Sequence, residues 1–145
     1  MSKVSTSISF SSGTEEAFNF YKSVFGGEFT SLMRYSDMPE TPGGPPVSGE
    51  EKDKILHVEL PILDGYVLMG SDAPESMRDK MITGNNIQIT LEPDSKEEAD
   101  RLFAALSEGG TVQMPMADMF WGGYYGALTD RFGINWMINV SPPQS

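Results

Sequence analysis

The sequence predicts an α+β fold made of two βαβββ modules, because the order strand, helix and three strands occurs twice along 145 residues. Short motifs repeat with this order: Glu15-Glu16-Ala17 recurs as Glu97-Glu98-Ala99, and Gly26-Gly27 recurs as Gly109-Gly110, about 82 residues apart. One such module buries only the sheet face that lies under its helix. Two modules placed edge to edge are therefore expected to form a curved, mostly antiparallel eight-stranded sheet whose concave side is open to a ligand.

Module one is expected over about residues 1–73. Its first strand is predicted at residues 5–10, where small polar and β-prone side chains alternate. The helix that follows is predicted from apolar side chains at helical spacing, namely Ala17, Phe20, Tyr21, Val24 and Phe25. Ser12 or Thr14 is expected to cap this helix, and Gly26-Gly27 to end it. Further strands are expected at residues 28–35, 55–60 and 66–71, with an Asp64-Gly65 hairpin turn between the last two.

Module two is expected over about residues 84–140 and begins with an alternating strand at 86–91. Its helix, at residues 95–106, opens with a capping box between Ser95 and Glu98. The last three strands are predicted at residues 111–116, 124–129 and 134–140. Two long loops, 37–53 and 72–83, are expected to shape the pocket, and the whole chain, residues 1–145, is expected to form a single domain.

Composition excludes several classes of function. The chain has no cysteine, which rules out disulfides, thiolate metal sites and cysteine nucleophiles. A single histidine, His57, rules out a two-histidine metal motif within one chain. The net charge of −11 opposes binding to nucleic acids and to anionic membranes. Because the sequence shows neither a bilayer-spanning apolar run nor a signal-peptide stretch, a cytoplasmic location is expected.

Four sets of segments carry a family resemblance: residues 16–21 with 25–28, residues 55–60 with 68–72, Met119-Phe120-Trp121-Gly122-Gly123, and the run from Thr129 to Asn139. The most specific pattern is Phe-Trp-Gly followed by Asp-x-Phe-Gly-x-x-Trp. With these segments the chain resembles the vicinal oxygen chelate superfamily, which includes glyoxalase I, bleomycin-resistance proteins and extradiol dioxygenases, and within it the PhnB-like branch. The resemblance implies the glyoxalase/bleomycin-resistance fold, but it does not fix a function, because one scaffold carries many chemistries.

The resemblance also implies where a metal would bind, because metal-dependent relatives carry one ligand on each of four strands. Carried over one at a time, these positions fall at Thr6, Met69, Asn86 and Met137. None of the four is a histidine or a carboxylate, and thioethers do not replace carboxylates for a hard divalent cation. We therefore expect no metal at this site and no cofactor, which removes the Lewis acid that glyoxalase and extradiol chemistry need.

His57 and Glu59 are the candidate catalytic residues. They alternate with the apolar residues Leu56, Val58 and Leu60, so the imidazole and the carboxylate are expected to face the concave side together. The alternative is a hydrogen-bonded histidine at a sheet or dimer surface.

The candidate ligand-binding residues combine adaptable apolar, aromatic and polar side chains: Thr6, Met69, Asn86, Gln88, Phe120, Trp121, Tyr125 and Met137. Methionines suit adaptable apolar pockets, although they also fill ordinary cores. The aromatic residues in the glycine-rich turn are expected to form a stacking wall over a ligand or to pack against a partner subunit. Asn86 and Gln88, on one face of a predicted strand, are expected to orient a polar ligand group or to belong to a solvated rim.

The sequence supports two functions. The first is a small-molecule binding protein of PhnB-like type, with a metal-free concave pocket for a partly apolar ligand. The alternative is a metal-independent or shifted-metal lyase or transferase that uses His57 and Glu59, so enzymatic activity stays open. The methyltransferase name used for some of these proteins has no support in the sequence, because no glycine-rich cofactor-binding fingerprint follows a strand. A homodimer is expected from the resemblance and from the open sheet edges.

Overall fold

A computed structural model describes residues 2–38 and 49–142 of the protein. Module one contains the strands and the helix that the sequence predicts, in this order: β1 (Thr6–Phe10), α1 (Thr14–Phe25), β2 (Ser31–Arg34), β3 (Ile55–Leu63) and β4 (Tyr66–Asp72). A 3-10 turn at Tyr35–Asp37 follows β2, and a short helix α2 (Glu75–Arg78) follows β4. The strands form a four-stranded mixed sheet in the order β1-β4-β3-β2, in which only β1 and β4 run parallel.

Module two repeats this topology. Its elements are β5 (Ile89–Leu91), α3 (Lys96–Ser107), β6 (Thr111–Asp118), β7 (Tyr124–Thr129) and β8 (Asn135–Val140). Its sheet has the order β5-β8-β7-β6, again with the first and last strands parallel and the other neighbours antiparallel. The predicted α+β fold with two similar βαβββ modules is therefore confirmed, whereas the edge-to-edge joining of the two sheets and the single domain stay predictions.

Each sheet has one face covered by its helix. In module one, α1 buries its apolar stripe on that face, together with side chains from β3 and β4: Ala17, Phe18, Tyr21, Val24, Val58, Leu60 and Leu68. In module two, α3 packs on β7 and β8, and the buried side chains are Ala99, Leu102, Leu106, Leu128, Trp136 and Ile138. The opposite face of each sheet, called here the open face, carries half-buried and exposed side chains.

The N-terminus of α1 is stabilised by a carboxylate from the end of β4. The N-cap is Gly13, at φ 85°, and it provides no side-chain hydrogen bond, so the cap expected from Ser12 or Thr14 is wrong. Instead, the buried carboxylate of Asp72 accepts hydrogen bonds from the Thr14 backbone N–H at 3.1 Å, from Thr14 Oγ1 at 2.8 Å and from the Ile55 N–H at 2.8 Å. For α3, Ser95 Oγ accepts from the Glu98 N–H, whereas the Glu98 carboxylate accepts from Arg101, so only the Ser95 half of the predicted capping box is present.

Three local predictions are corrected by the structure. The first strand of module two begins at Ile89 rather than at residue 86, and the loop predicted at 72–83 contains α2. In β3, a bulge next to Arg34 buries Ile55 and leaves Leu56 only half-buried, so the expected burial of Leu56 is wrong. Of the loop predicted at 37–53, residues 39–48 lie outside the described residues.

No helix in the described part of the chain is long and apolar enough to cross a membrane.

Candidate functional site

The open face of module one carries two rows of side chains across its four strands. Cross-strand register aligns one row as Ser7, Met69, Glu59 and Ser31, from β1 through β4 and β3 to β2. In the neighbouring row His57 lies opposite Met33 of β2. Along β3 and β4 these positions alternate with the residues that are buried under α1, so their side chains point to the opposite, open face. The row therefore combines hydroxyl, thioether and carboxylate groups on one half-buried surface.

His57 and Glu59 are brought together, as their spacing predicts. Their side chains share the open face, and His57 Nε2 lies 3.6 Å from Glu59 Oε1. Both side chains are about one-third exposed, at 33% and 29%. The structure therefore places the two candidate catalytic side chains within reach of each other, and their catalytic role stays a prediction.

Thr6 does not join this group. It pairs with the buried Leu68, so it shares the face of the sheet that lies under α1, and its hydroxyl is hydrogen-bonded to the Tyr66 hydroxyl. Ser7, the next residue, pairs with Met69 on the open face. Counting back along the sequence from α1 therefore places the first site position one residue too early, and a shift of one residue moves a strand's side chain to the other face.

Module two places Met137 on its open face in the equivalent register. Thr90 of β5 pairs with Met137 of β8, as Ser7 pairs with Met69 in module one. The Thr90 hydroxyl donates to Met137 Sδ at 4.0 Å. Asn86 and Gln88 lie before β5 and are exposed, so the structure does not place them beside Met137. In each module, the first and last strands thus contribute one hydroxyl and one thioether.

An aromatic cluster follows the turn between β6 and β7. Phe120 is 98% exposed and meets the half-exposed Trp121 edge to face, with ring centroids 5.1 Å apart. Trp121 in turn contacts Tyr125 at 6.2 Å, and Tyr125 lies on the open face of β7. The neighbouring Tyr124 is different, because its hydroxyl donates to the Asp100 carboxylate at 2.6 Å and this bond raises the pKa of the phenol. Phe120, Trp121 and Tyr125 therefore form one aromatic cluster, and its expected role against a ligand or a partner subunit stays a prediction.

A polar chain on the open face of module two was not predicted from the sequence. Gln113 Nε2 donates to Thr129 Oγ1 at 2.7 Å, Thr129 Oγ1 donates to Asn135 Oδ1 at 2.7 Å, and Asn135 Nδ2 donates to the Gly84 carbonyl at 3.3 Å. Asn139, the cross-strand partner of Tyr125, has a buried Oδ1 that no donor reaches among residues 2–38 and 49–142. These amides come together because of the register between neighbouring strands. Residue spacing along the sequence does not reveal that register.

The family positions for a divalent metal do not fit such an ion in this chain. Register supplies the pairs Ser7–Met69 and Thr90–Met137, and the residues expected from the sequence, Thr6 and Asn86, would add only a hydroxyl and an amide. Hard divalent cations select carboxylate oxygen and imidazole nitrogen over thioether sulfur. Over residues 2–38 and 49–142, no group of three or more His, Cys, Asp or Glu side chains could hold a metal ion.

The duplicated arrangement of a helix on a four-stranded mixed sheet defines the fold class of the glyoxalase/bleomycin-resistance/dioxygenase proteins. The chain superposes on a family enzyme of that description from Burkholderia phytofirmans with a TM-score of 0.61 at 17% identity, covering 93% of this chain and 94% of that one. This likeness shows the fold alone.

Within this class, the chain belongs to the PhnB-like family described as 3-demethylubiquinone-9 3-methyltransferase, whose profile matches residues 2–139. It is similar to protein PA1353 from Pseudomonas aeruginosa, with 34% identity and a TM-score of 0.80 over 99% of this chain and 100% of that one. It is also 27% identical to Protein YjdN of Escherichia coli over 142 residues, 94% of each chain. A PhnB protein from Bacillus cereus has 24% identity and a TM-score of 0.73, over 97% of this chain and 100% of that one.

The family description names a methyl transfer, and the strand-to-helix turns are one place where a fold of helices on sheets can hold the anionic group of a cofactor. Such a turn leaves the first N–H groups of its helix free for the anion. In module one, the Asp72 carboxylate already accepts from the first N–H of α1. In module two, Glu92-Pro93-Asp94 replaces a glycine-rich turn, and Ser95 Oγ accepts from the Glu98 N–H. In both turns a side chain of the protein itself therefore accepts from a helix N–H group that an anion would otherwise use.

Proposed function

We propose that this protein binds a small, partly apolar molecule on the open faces of its sheets, without a hard divalent cation. The observation that carries the proposal is the matched pair of positions Ser7–Met69 and Thr90–Met137. In both modules a hydroxyl and a polarizable thioether lie side by side at the positions where metal-dependent relatives bind their ion. Half-buried methionines adapt to varied apolar ligands, and the hydroxyls can orient a polar group.

The aromatic cluster supports an aromatic ligand. Phe120 and Trp121 are large, exposed apolar side chains that project from a turn, and Tyr125 connects them to the open face of module two. Exposed aromatic rings of this kind gain stability by stacking on a planar molecule. The proposed ligand is therefore a small molecule with a planar apolar part and at least one hydrogen-bonding group.

A neutral aromatic probe tests this proposal, since the net charge of −11 would repel an anionic dye. Calorimetric titration with N-phenyl-1-naphthylamine is expected to show saturable binding that Met137→Glu weakens at least tenfold, because a carboxylate is placed in the apolar site. Met77→Glu, which puts the same charge on an exposed methionine of α2, is the matched control and is expected to bind normally. Equal binding by wild type and Met137→Glu would reject the site.

The alternative is a metal-independent or shifted-metal lyase or transferase, favoured by the 3.6 Å approach of His57 Nε2 to Glu59 Oε1. An enzyme of this kind would use the imidazole as acid or base, with Glu59 stabilising its charged form. His57→Gln discriminates between the two functions. Loss of turnover with retained binding would support the enzyme, whereas unchanged behaviour would support a binding protein.

We also propose a homodimer, for which the edge of the module-two sheet provides the surface. Strand β6 is a long edge strand with exposed side chains along most of its length, and Val112 and Met114 are each nearly half exposed. An open apolar edge of this length is normally covered. The double variant Val112→Lys/Met114→Lys is expected to shift the mass from dimer to monomer in light scattering, whereas Met77→Lys is not. A monomeric wild type would overturn this proposal, and the cytoplasmic location stays a prediction.

A further inference from the structure

We propose that the open face of module one binds a soft monovalent cation, Cu(I) or its analogue Ag(I), through the thioethers of Met33 and Met69 and the imidazole of His57. The inference starts from the misfit described above: the thioether of Met69 stands at a position where a hard cation would need a carboxylate, and register places Met33 and His57 on the same face. It shares Met69 with the proposed small-molecule site, but it does not rest on that function, because it is argued from the register and the donor atoms of module one alone.

Register brings these three side chains together. Met33 lies directly opposite His57 across β2 and β3, and Met69 lies opposite Glu59 across β3 and β4. His57 is two residues from Glu59 on the same face, so Met69 is its diagonal neighbour. Directly opposed residues have Cβ atoms about 4.5–5.5 Å apart, and diagonal ones about 7–8 Å, which long side chains can bridge.

The orientation of the imidazole supports the same site. His57 Nε2 lies 3.6 Å from Glu59 Oε1, so the ring is turned along β3 towards the row that contains Met69. Met33 is the cross-strand partner of His57 on the other neighbouring strand and is 42% exposed. A cation arriving from solvent therefore meets an imidazole nitrogen between two flexible thioethers.

The donor set selects the class of cation. Thioethers favour Cu(I) among the biological metals, and imidazole also binds it. The sequence contains no cysteine, so no thiolate competes for such an ion. Glu59 is a positioning residue here: its negative charge stabilises a cation and orients the ring. The net charge of −11 raises the local concentration of cations around the whole molecule.

Nuclear magnetic resonance of the full chain with ¹³C-methyl-labelled methionine tests the proposal directly. The chain contains ten methionines, so most of them serve as internal controls. One equivalent of silver nitrate, in chloride-free buffer, is expected to shift the methyl signals of Met33 and Met69 selectively. Signals of these two residues that stay in place, or that move only together with those of most other methionines, would overturn the proposal.

Variants then establish which atoms bind. Met69→Leu and His57→Gln are each expected to weaken silver affinity at least tenfold in calorimetric titration, whereas Met77→Leu, at an exposed methionine of α2, is expected to leave it unchanged. Methionine-to-leucine changes conserve volume, and circular dichroism checks that each variant is folded. Equal losses in all three variants, or zinc binding as tight as silver binding, would also overturn the proposal.

Discussion

Asp72 is a single buried carboxylate that holds three segments of module one together. It lies at the end of β4 and accepts hydrogen bonds from the first residue of α1 and from the first residue of β3. The backbone of the same residue accepts from the Tyr35 hydroxyl at 2.7 Å, which fixes the turn after β2. Local sequence patterns predict helix caps from neighbouring residues, so a cap supplied from 58 positions away could not be found that way.

Replacing this carboxylate tests how much it stabilises the protein. Asp72→Ala leaves the Thr14 N–H, the Thr14 hydroxyl and the Ile55 N–H without their acceptor, and unpaired buried donors cost about 1–3 kcal/mol each. The expected loss in the free energy of unfolding is about 3 kcal/mol, measured by urea denaturation. Asp79→Ala, at an exposed position after α2, should change it by less than about 0.5 kcal/mol. Similar values for the two variants would contradict this role.

The pair between Glu15 and Arg34 gives a dependence on pH. Two hydrogen bonds, at 3.0 and 2.6 Å, join the guanidinium to the carboxylate, and they lower the pKa of Glu15 below its ordinary value of 4.5. A lowered folded-state pKa adds stability above the unfolded pKa, and this stability is lost as the pH falls through the folded pKa.

Glu15→Gln is therefore expected to destabilise the protein at pH 7, by less than about 1 kcal/mol because the pair is exposed to solvent. The difference from wild type should shrink as the pH falls below about 4.5, and also in high salt. Glu16→Gln removes the same charge from the same helical turn and is the matched control. A difference that persists in acid would show that the loss has another cause.

At the scale of elements, each helix lies against a strand position that only glycine fits. A Cβ atom at Gly70 of β4 would lie 2.3 Å from the Phe18 ring of α1, and one at Gly126 of β7 would lie 2.9 Å from the Phe103 ring of α3. Both distances are far below van der Waals contact. The close approach of helix to sheet therefore depends on one strand glycine in each module.

Gly70→Ala is expected to lower the free energy of unfolding by about 1–3 kcal/mol, because Phe18 is fully buried and the ring has to move. Gly49→Ala is the matched control, since a Cβ atom there meets nothing within 4 Å and should have little effect. Chemical denaturation of both variants measures the difference. If Gly70→Ala is as stable as Gly49→Ala, the contact is looser than the structure indicates.

The sequence predicts the main helices and all eight strands well and several strand boundaries less well: β2 begins at Ser31 rather than residue 28, β3 extends to Leu63 rather than residue 60, and β5 begins at Ile89 rather than residue 86. Both helices follow from apolar spacing and from glycines at their ends, and the duplicated topology follows from the repeated motifs. The first strand of module two was placed too early because Asn86-Ile87-Gln88 alternates like a strand. In the structure Ile89 pairs with Trp136, so residue 86 would lie opposite Gly133, where the chain turns at φ 88°. Residue 86 therefore finds no β8 partner for its backbone groups, and β5 begins at Ile89 instead.

From the sequence, two side chains of the site can be placed on the same face only when both belong to the same strand. His57 and Glu59 lie two residues apart, so their shared face follows from alternation alone. Thr6, by contrast, was assigned by counting along the chain, and the hydrogen-bond register shows that Ser7 lies beside Met69. The polar chain from Gln113 to Asn135 also depends on register between strands. Contacts of this kind come from the fold rather than from local pattern.

At the scale of the whole molecule, the expected single domain can be tested by thermal unfolding. A cooperative domain gives one calorimetric transition whose enthalpy equals the van't Hoff enthalpy. Asp72→Ala in module one should then lower the Tm of the whole transition by roughly 10 °C, because it is expected to reduce the free energy of unfolding by about 3 kcal/mol. Two separate transitions, of which only one shifts, would show that the modules unfold independently.

The two tryptophans of the chain occupy opposite environments, and this has a practical consequence. Trp136 is fully buried and its indole N–H donates to Asp130 Oδ2 at 2.9 Å, whereas Trp121 is half exposed beside Phe120. Their emission should therefore separate into a blue component that acrylamide cannot quench and a red component that it can. The protein carries a built-in pair of optical reporters, one for the integrity of its interior and one for events at its surface.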